Sequence, residues 1–109
     1  MKVAIVGSRG LFADIEKYIP ENTTEIISGG AAGIDTLAQK WAEEHGIPIL
    51  ILKPEYNKYG RSAAIQRNKL IVTAADFVVA IWDGKSRGTK FTIEYAKKCG
   101  VPVKIILIV

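Results

Sequence analysis

The sequence predicts a three-layer α/β domain: one five-stranded parallel sheet, strand order 3-2-1-4-5, with helices on both faces. Three observations lead there. Five short segments rich in Val and Ile recur along the 109 residues. Several are apolar nearly throughout rather than alternating, as strands are when both faces are covered. The stretches between them repeat apolar residues at three- and four-residue spacing, as helices do when they pack by one face.

Taken in order, residues 3–6 form the first strand and 11–19 the first helix, followed by a strand at 25–27 and a helix at 34–45. The strand at 47–52, helix at 62–74, strand at 77–82, helix at 89–99 and strand at 103–109 complete a β-α-β-α-β-α-β-α-β chain. Pro20, Gly46-Ile47-Pro48 and Gly100-Val101-Pro102 stop three of the helices, with glycine at the cap and proline just beyond in two of them. Right-handed crossovers then restrict the sheet to a doubly wound order, 3-2-1-4-5 first and the flavodoxin-like 2-1-3-4-5 second. In the first order the turns after Val6, Ile27 and Trp82 open side by side at the switch point.

Nearly half the residues are hydrophobic, enough for residues 1–109 to form one domain whose core needs no metal or disulfide. Cys99 is the sole cysteine and belongs to no CxxC or Cys/His cluster, which argues against a disulfide scaffold or zinc module and suggests a reducing cytoplasm. The first apolar run is too short for a signal peptide, and no segment reaches membrane-spanning length. A formal charge of +4 from scattered basic residues favours anionic ligands over a nucleic-acid tract.

The most informative stretch is Ser28-Gly29-Gly30-Ala31-Ala32-Gly33-Ile34-Asp35, where a strand end, a glycine turn and a helix start coincide. Small residues let backbone amides approach a ligand, and a helix N-terminus supplies unpaired N–H donors and the positive dipole end, so phosphate is the natural guest. The turn Gly7-Ser8-Arg9-Gly10 adds a hydroxyl and a guanidinium able to fork onto phosphate. Asp83-Gly84-Lys85-Ser86-Arg87-Gly88-Thr89 repeats the same chemistry ahead of a helix, and Arg61 through Lys69 form a cationic entry into another.

Two motif matches fail on spacing. Gly84-Lys85-Ser86 resembles the end of a GxxxxGK[ST] loop, but Val79 stands where its first glycine belongs. Gly30 and Gly33 fit the last two glycines of GxGxxG, but Ser28 holds the first position and the next strand ends at Lys53, not an acid. Asp35 and Asp83 could accept ribose hydroxyls, though a first-turn Asp also complements the helix dipole and a strand-end Asp also forms turns. His45, the sole histidine, reads as a helix C-terminal charge, which removes Ser-His and Cys-His catalysis. Tyr56 and Tyr59 lie in a loop able to cover a base. The residues point to no metal site and name no cofactor.

The set Val6-Gly7-Ser8-Arg9, Ser28 to Asp35, Arg67-Asn68, Ala75-Asp76 and Ser86-Arg87-Gly88-Thr89 resembles the SLOG superfamily of Rossmann-like proteins. The YspA/cpYpsA-related branch is nearest. Residues 28–38 and 67–71 are also similar to the DNA-processing protein A family, which implies single-strand binding. Residues 67–89 are similar to the cytokinin-activating, lysine-decarboxylase-like phosphoribohydrolases. There the resemblance implies an Arg and a Glu acting on a nucleoside monophosphate. Arg67 matches the arginine, but Thr92 stands at the glutamate's position, and Glu94 is about 200° further round the helix.

The expected ligand site therefore comprises Gly7, Ser8, Arg9, Ser28, Gly29, Gly30, Ala31, Gly33, Asp35, Arg67, Asn68, Asp83, Ser86, Arg87, Gly88 and Thr89, with no catalytic residue assigned. A helix terminus contributes only about 0.3–2 kcal/mol toward an anion, so three turns fall short of the about 8 kcal/mol that micromolar affinity needs. Sugar and base contacts must supply the remainder, which favours a nucleotide or nucleotide derivative over free phosphate. Alternatives are a single-stranded nucleic-acid module, a phosphoribohydrolase or other hydrolase of a nucleotide N-glycosidic or phosphate bond, and a ligand-free scaffold. Homo-oligomerisation stays open.

Overall fold

The computed structural model describes residues 1–8, 10–11, 13–30 and 33–108. Its sheet contains β1 (Lys2–Gly7), β2 (Glu25–Ser28), β3 (Ile49–Ile51), β4 (Phe77–Trp82) and β5 (Val103–Leu107) in the order β3-β2-β1-β4-β5. All four pairings are parallel; β1 aligns Val3 with Ile26 on one side and with Phe77 on the other. This is the doubly wound order expected from the sequence.

The helices are α1 (Ile34–Glu44), a single turn α2 (Tyr56–Tyr59), α3 (Ala63–Ala74) and α4 (Arg87–Lys98). Alternate residues of β1 and β4 enter two cores. Val3, Ile5, Val79 and Ile81 pack with Ile34, Ala38 and Ala42 of α1 on one face. Ala4, Val6, Val78 and Ala80 meet Ile71 and Val72 of α3 and Ile93 and Ala96 of α4 on the other. The central strands are apolar throughout because both of their faces are covered.

One element departs from expectation. The helix predicted over 11–19 is reduced, among the described residues, to a 3-10 turn at Glu16–Tyr18. Ile19 precedes Pro20 and is extended, with φ −86° and ψ 121°, because the proline ring disfavours helical backbone before it. Ile15 and Ile19 are nevertheless both buried, so one turn suffices to seat the apolar pair. The segment is also too short to sustain a helix by itself.

The end of the sheet opposite the glycine turns is closed by Asp76. Its Oδ2 accepts from the Lys2 backbone N–H at 2.8 Å, and its own N–H donates to the Lys2 carbonyl at 2.8 Å. No helix among the described residues is long and apolar enough to cross a membrane.

Ile34 anchors the start of α1 on the sheet: it is the first residue of that helix, 1% exposed, and part of the first core. Ile34→Ala is expected to lower unfolding free energy by about 2–5 kcal/mol, measured by urea denaturation followed by circular dichroism.

Candidate functional site

At the carboxyl edge of the sheet the ends of β1 and β2 and the starts of α1 and α4 surround a hollow of about 180 Å³. Gly7 and Gly29 supply backbone, Asp35 and Arg67 charge, and Gly88 and Thr89 a helix N-terminus. Residues from all three glycine-bearing turns thus meet at one place, joined by an arginine from α3.

β1 delivers Gly7 to this edge. A side chain there would drive its Cβ to 2.5 Å from Ile34, so glycine is what lets β1 end against the start of α1. Ser8 is buried and does not line the hollow. Its N–H donates to the Ile81 carbonyl at 3.0 Å, and its Oγ accepts from the Asp83 N–H at 3.2 Å. Ser8 therefore stitches the first turn to the third. Arg9, expected to reach a phosphate, lies outside the described residues, as does Ala31 of the second turn.

In the second turn Ser28 and Gly29 are buried, and the Ser28 carbonyl accepts from the Leu52 N–H at 2.8 Å. A Cβ on Gly29 would run into the Arg67 guanidinium and lie 3.3 Å from Asp35 Oδ2, so the absent side chain is what admits both charged groups. Asp35, in the first turn of α1, is 8% exposed. Gly30 and Gly33 stand back from the hollow. Gly30 lies against Ile51 and Lys53, and Gly33 approaches the backbone of Gly10 and Leu11.

Arg67 is held by three contacts. Nε donates to Asn68 Oδ1 at 2.9 Å, and Nη1 donates to the carbonyls of Gly29 at 3.0 Å and Leu52 at 3.4 Å. The guanidinium thereby ties α3 to the ends of β2 and β3. Asn68, itself buried, also lines the hollow, whereas Arg61 is exposed.

The third turn is shaped by its own side chains. Asp83 Oδ1 accepts from the N–H groups of Lys85 and Ser86, each at 2.8 Å, an Asx arrangement. Those two bonds, Ser86's first, hold the carboxyl below the usual Asp range. Ser86 then caps α4, its Oγ accepting from the Thr89 N–H at 3.5 Å, while its carbonyl accepts from Trp82 Nε1 at 3.0 Å. Arg87 is exposed and does not line the hollow; Ser86, Gly88 and Thr89 do.

Thr92 also faces the hollow, 2% exposed, with its Oγ1 donating to the Gly88 carbonyl at 3.0 Å. Glu94 is exposed and lies 4.0 Å from Lys90. The structure thus puts threonine, not a carboxylate, on the inner face of α4. Val6, Ile71 and Thr92 are lining residues that the expected site omitted. Thr92's signal was its spacing of four from Gly88, which puts both on one helix face.

His45 caps α1, with Nδ1 2.8 Å from the Trp41 carbonyl and its ring stacked on Trp41, away from the hollow's lining. Among the described residues no group of three or more His, Cys, Asp and Glu is placed to hold a metal ion.

A family model described as the YspA, cpYpsA-related SLOG family matches residues 1–59, the part of the chain that carries the first two turns. The chain is 30% identical over 84 residues to the Gene 61 protein of Mycobacterium phage D29, across 72% of this chain and 67% of the phage protein. No solved structure matches.

Because the Asp83 carboxyl is depressed from its ordinary value of 3.8, its contribution to stability is full above that value and is lost as pH falls through the lowered one. Asp83→Asn keeps an oxygen acceptor and removes the titration. Thermal unfolding between pH 2 and pH 7 is expected to show a shallower loss of Tm below about pH 4 in the variant than in the parent.

Proposed function

The chain belongs to the YspA, cpYpsA-related SLOG family, and from that premise we propose that it binds a nucleotide or nucleotide derivative at the carboxyl edge of its sheet, as a sensor or a processing enzyme. The observation that carries this reading is the convergence of Gly7, Gly29, Gly88 and Arg67 on one hollow. Ligands of doubly wound sheets bind in the crevice beyond the strand ends, at the switch point.

The chemistry supports an anion. The N-terminus of α4 presents the N–H groups of Arg87 and Gly88, which make no hydrogen bond among the described residues, and the positive end of its dipole. Arg67 adds a permanent charge whose Nη2 makes no hydrogen bond among the described residues. Asp35 supplies an acceptor of the kind that ribose hydroxyls use. A hollow of about 180 Å³ is small beside the roughly 300–1,000 Å³ of ordinary ligand pockets, so it suits a phosphate and part of a sugar.

The other readings have less behind them. No aromatic ring lines the hollow among the described residues, whereas single-strand binders stack bases on such rings along a basic groove. Hydrolysis in the manner of the phosphoribohydrolases needs a carboxylate where Thr92 stands. We assign no catalytic residue, and place the protein's work in a reducing cytoplasm.

Titration calorimetry with nucleoside 5′-monophosphates is expected to show saturable binding, weakened about ten- to hundredfold by Arg67→Ala through loss of a charge-assisted bond. Tighter binding of single-stranded DNA with a steep salt dependence would transfer the site to the nucleic-acid reading. Equal affinity of parent and Arg67→Ala would remove Arg67 from the site.

A further inference from the structure

Arg67 lines two hollows. The second, of about 350 Å³, lies between the segment after β3 and the outer part of α3. Its α3 wall is Ala63, Arg67 and Leu70, residues at i, i+4 and i+7 and therefore one stripe of the helix. Leu52, Pro54 and Tyr59 also line it. Where the first hollow is walled by glycine backbone, hydroxyls and charge, this one is walled largely by apolar groups and one aromatic ring. Leu70 is 52% exposed, a large apolar side chain left half uncovered.

We infer that this second hollow is the base subsite of the nucleotide site: the nucleobase packs between Tyr59 and the Ala63–Leu70 stripe while the phosphate occupies the first hollow. The inference rests on the nucleotide reading above and says where the rest of that ligand goes. Three observations carry it. The first hollow is too small for a whole nucleotide, and the second adds the missing volume next to it. The two share Arg67 as a common wall, so a ligand spanning them passes the guanidinium. The atoms of that guanidinium are divided to suit: Nε and Nη1 are fixed on Asn68, Gly29 and Leu52, and Nη2 has no partner among the described residues. It is the donor available to the sugar-phosphate at the junction.

The occupant's chemistry follows from the walls. A flat ring with apolar faces gains from burial against Leu70 and stacking on Tyr59. Glu55 and Lys53, also among the lining residues, offer an acceptor and a donor to the polar edge of a base. Lys58 Nζ lies 5.1 Å from the centroid of the Tyr59 ring, and the Tyr59 backbone carbonyl accepts from Ser62 Oγ at 2.9 Å.

The test compares AMP, GMP, CMP and UMP with ribose 5-phosphate by calorimetry on the full chain, in the parent and in Tyr59→Ala, Leu70→Ala, Tyr59→Phe and Arg67→Ala. Tyr59→Ala and Leu70→Ala are expected to weaken the best-bound nucleotide about ten- to hundredfold and to leave ribose 5-phosphate unchanged, with Tyr59→Phe close to the parent. Arg67→Ala weakens both kinds of ligand. Nucleotide affinity unmoved by Tyr59→Ala and Leu70→Ala but lowered by Arg67→Ala overturns the base subsite and leaves the phosphate site standing. Equal weakening of ribose 5-phosphate by Tyr59→Ala, with circular dichroism unchanged, overturns it as well. A chain that dimerises through Leu70, becoming monomeric in Leu70→Glu with its nucleotide affinity intact, assigns the groove to a second copy. If no probe binds the parent, the nucleotide reading itself falls and this subsite with it.

Discussion

The bonds from Arg67 to the carbonyls of Gly29 and Leu52 are the constraint on which the carboxyl edge depends. The last carbonyls of parallel strands have no further strand residue to accept from, and buried carbonyls are rarely left unpaired. A guanidinium can satisfy two of them and still keep a donor, because its five N–H groups form a rigid fork. The bond to Gly29 requires that residue to lack a side chain, since a Cβ would occupy the guanidinium's place. The glycine just beyond β2 and the arginine on α3 are thus two halves of one device, 38 residues apart in sequence.

Around that device the polar side chains do two jobs, and Ser86, which also lines the hollow, does both. Ser8, Asp83 and Ser86 bond to backbone N–H groups of the third turn and of α4. They fix the shape of the turns before any ligand arrives. Asp35, Arg67 and Thr89 line the hollow directly, with the backbone of Gly7, Gly29 and Gly88. Such preorganisation lowers the ordering cost of binding, and it explains why a turn so rich in hydroxyls and charges leaves few of them facing inward. A second hollow beyond Arg67 extends the edge with largely apolar walls, so a polar and an apolar lining lie on either side of one cation.

The inner face of α4 bears on chemistry as well as binding. With Thr92 turned inward onto the Gly88 carbonyl and Glu94 turned outward toward Lys90, the helix offers shape and a hydroxyl, not a carboxylate. The carboxylate that does line the hollow belongs to Asp35 of α1. The charges are therefore distributed differently from the arrangement that the phosphoribohydrolase resemblance implies.

Residues by themselves determined the fold class, the strand order and the placing of three glycine turns at one edge, because those follow from apolar runs, helical spacing and the handedness of crossovers, which are local or nearly so. The same local signals misread residues 11–19, where proline geometry and the burial of Ile15 and Ile19 were satisfied by a single turn. Only the tertiary structure decided which turn residues face the hollow and which are held by their own neighbours. Ser8, just after a strand, and Arg67, within a helix, both read in sequence as polar candidates for the site; what separates them is the Asp83 N–H waiting beside one and two strand-end carbonyls beside the other. Those partners come from distant stretches of chain, and no periodicity or spacing encodes the distance between them.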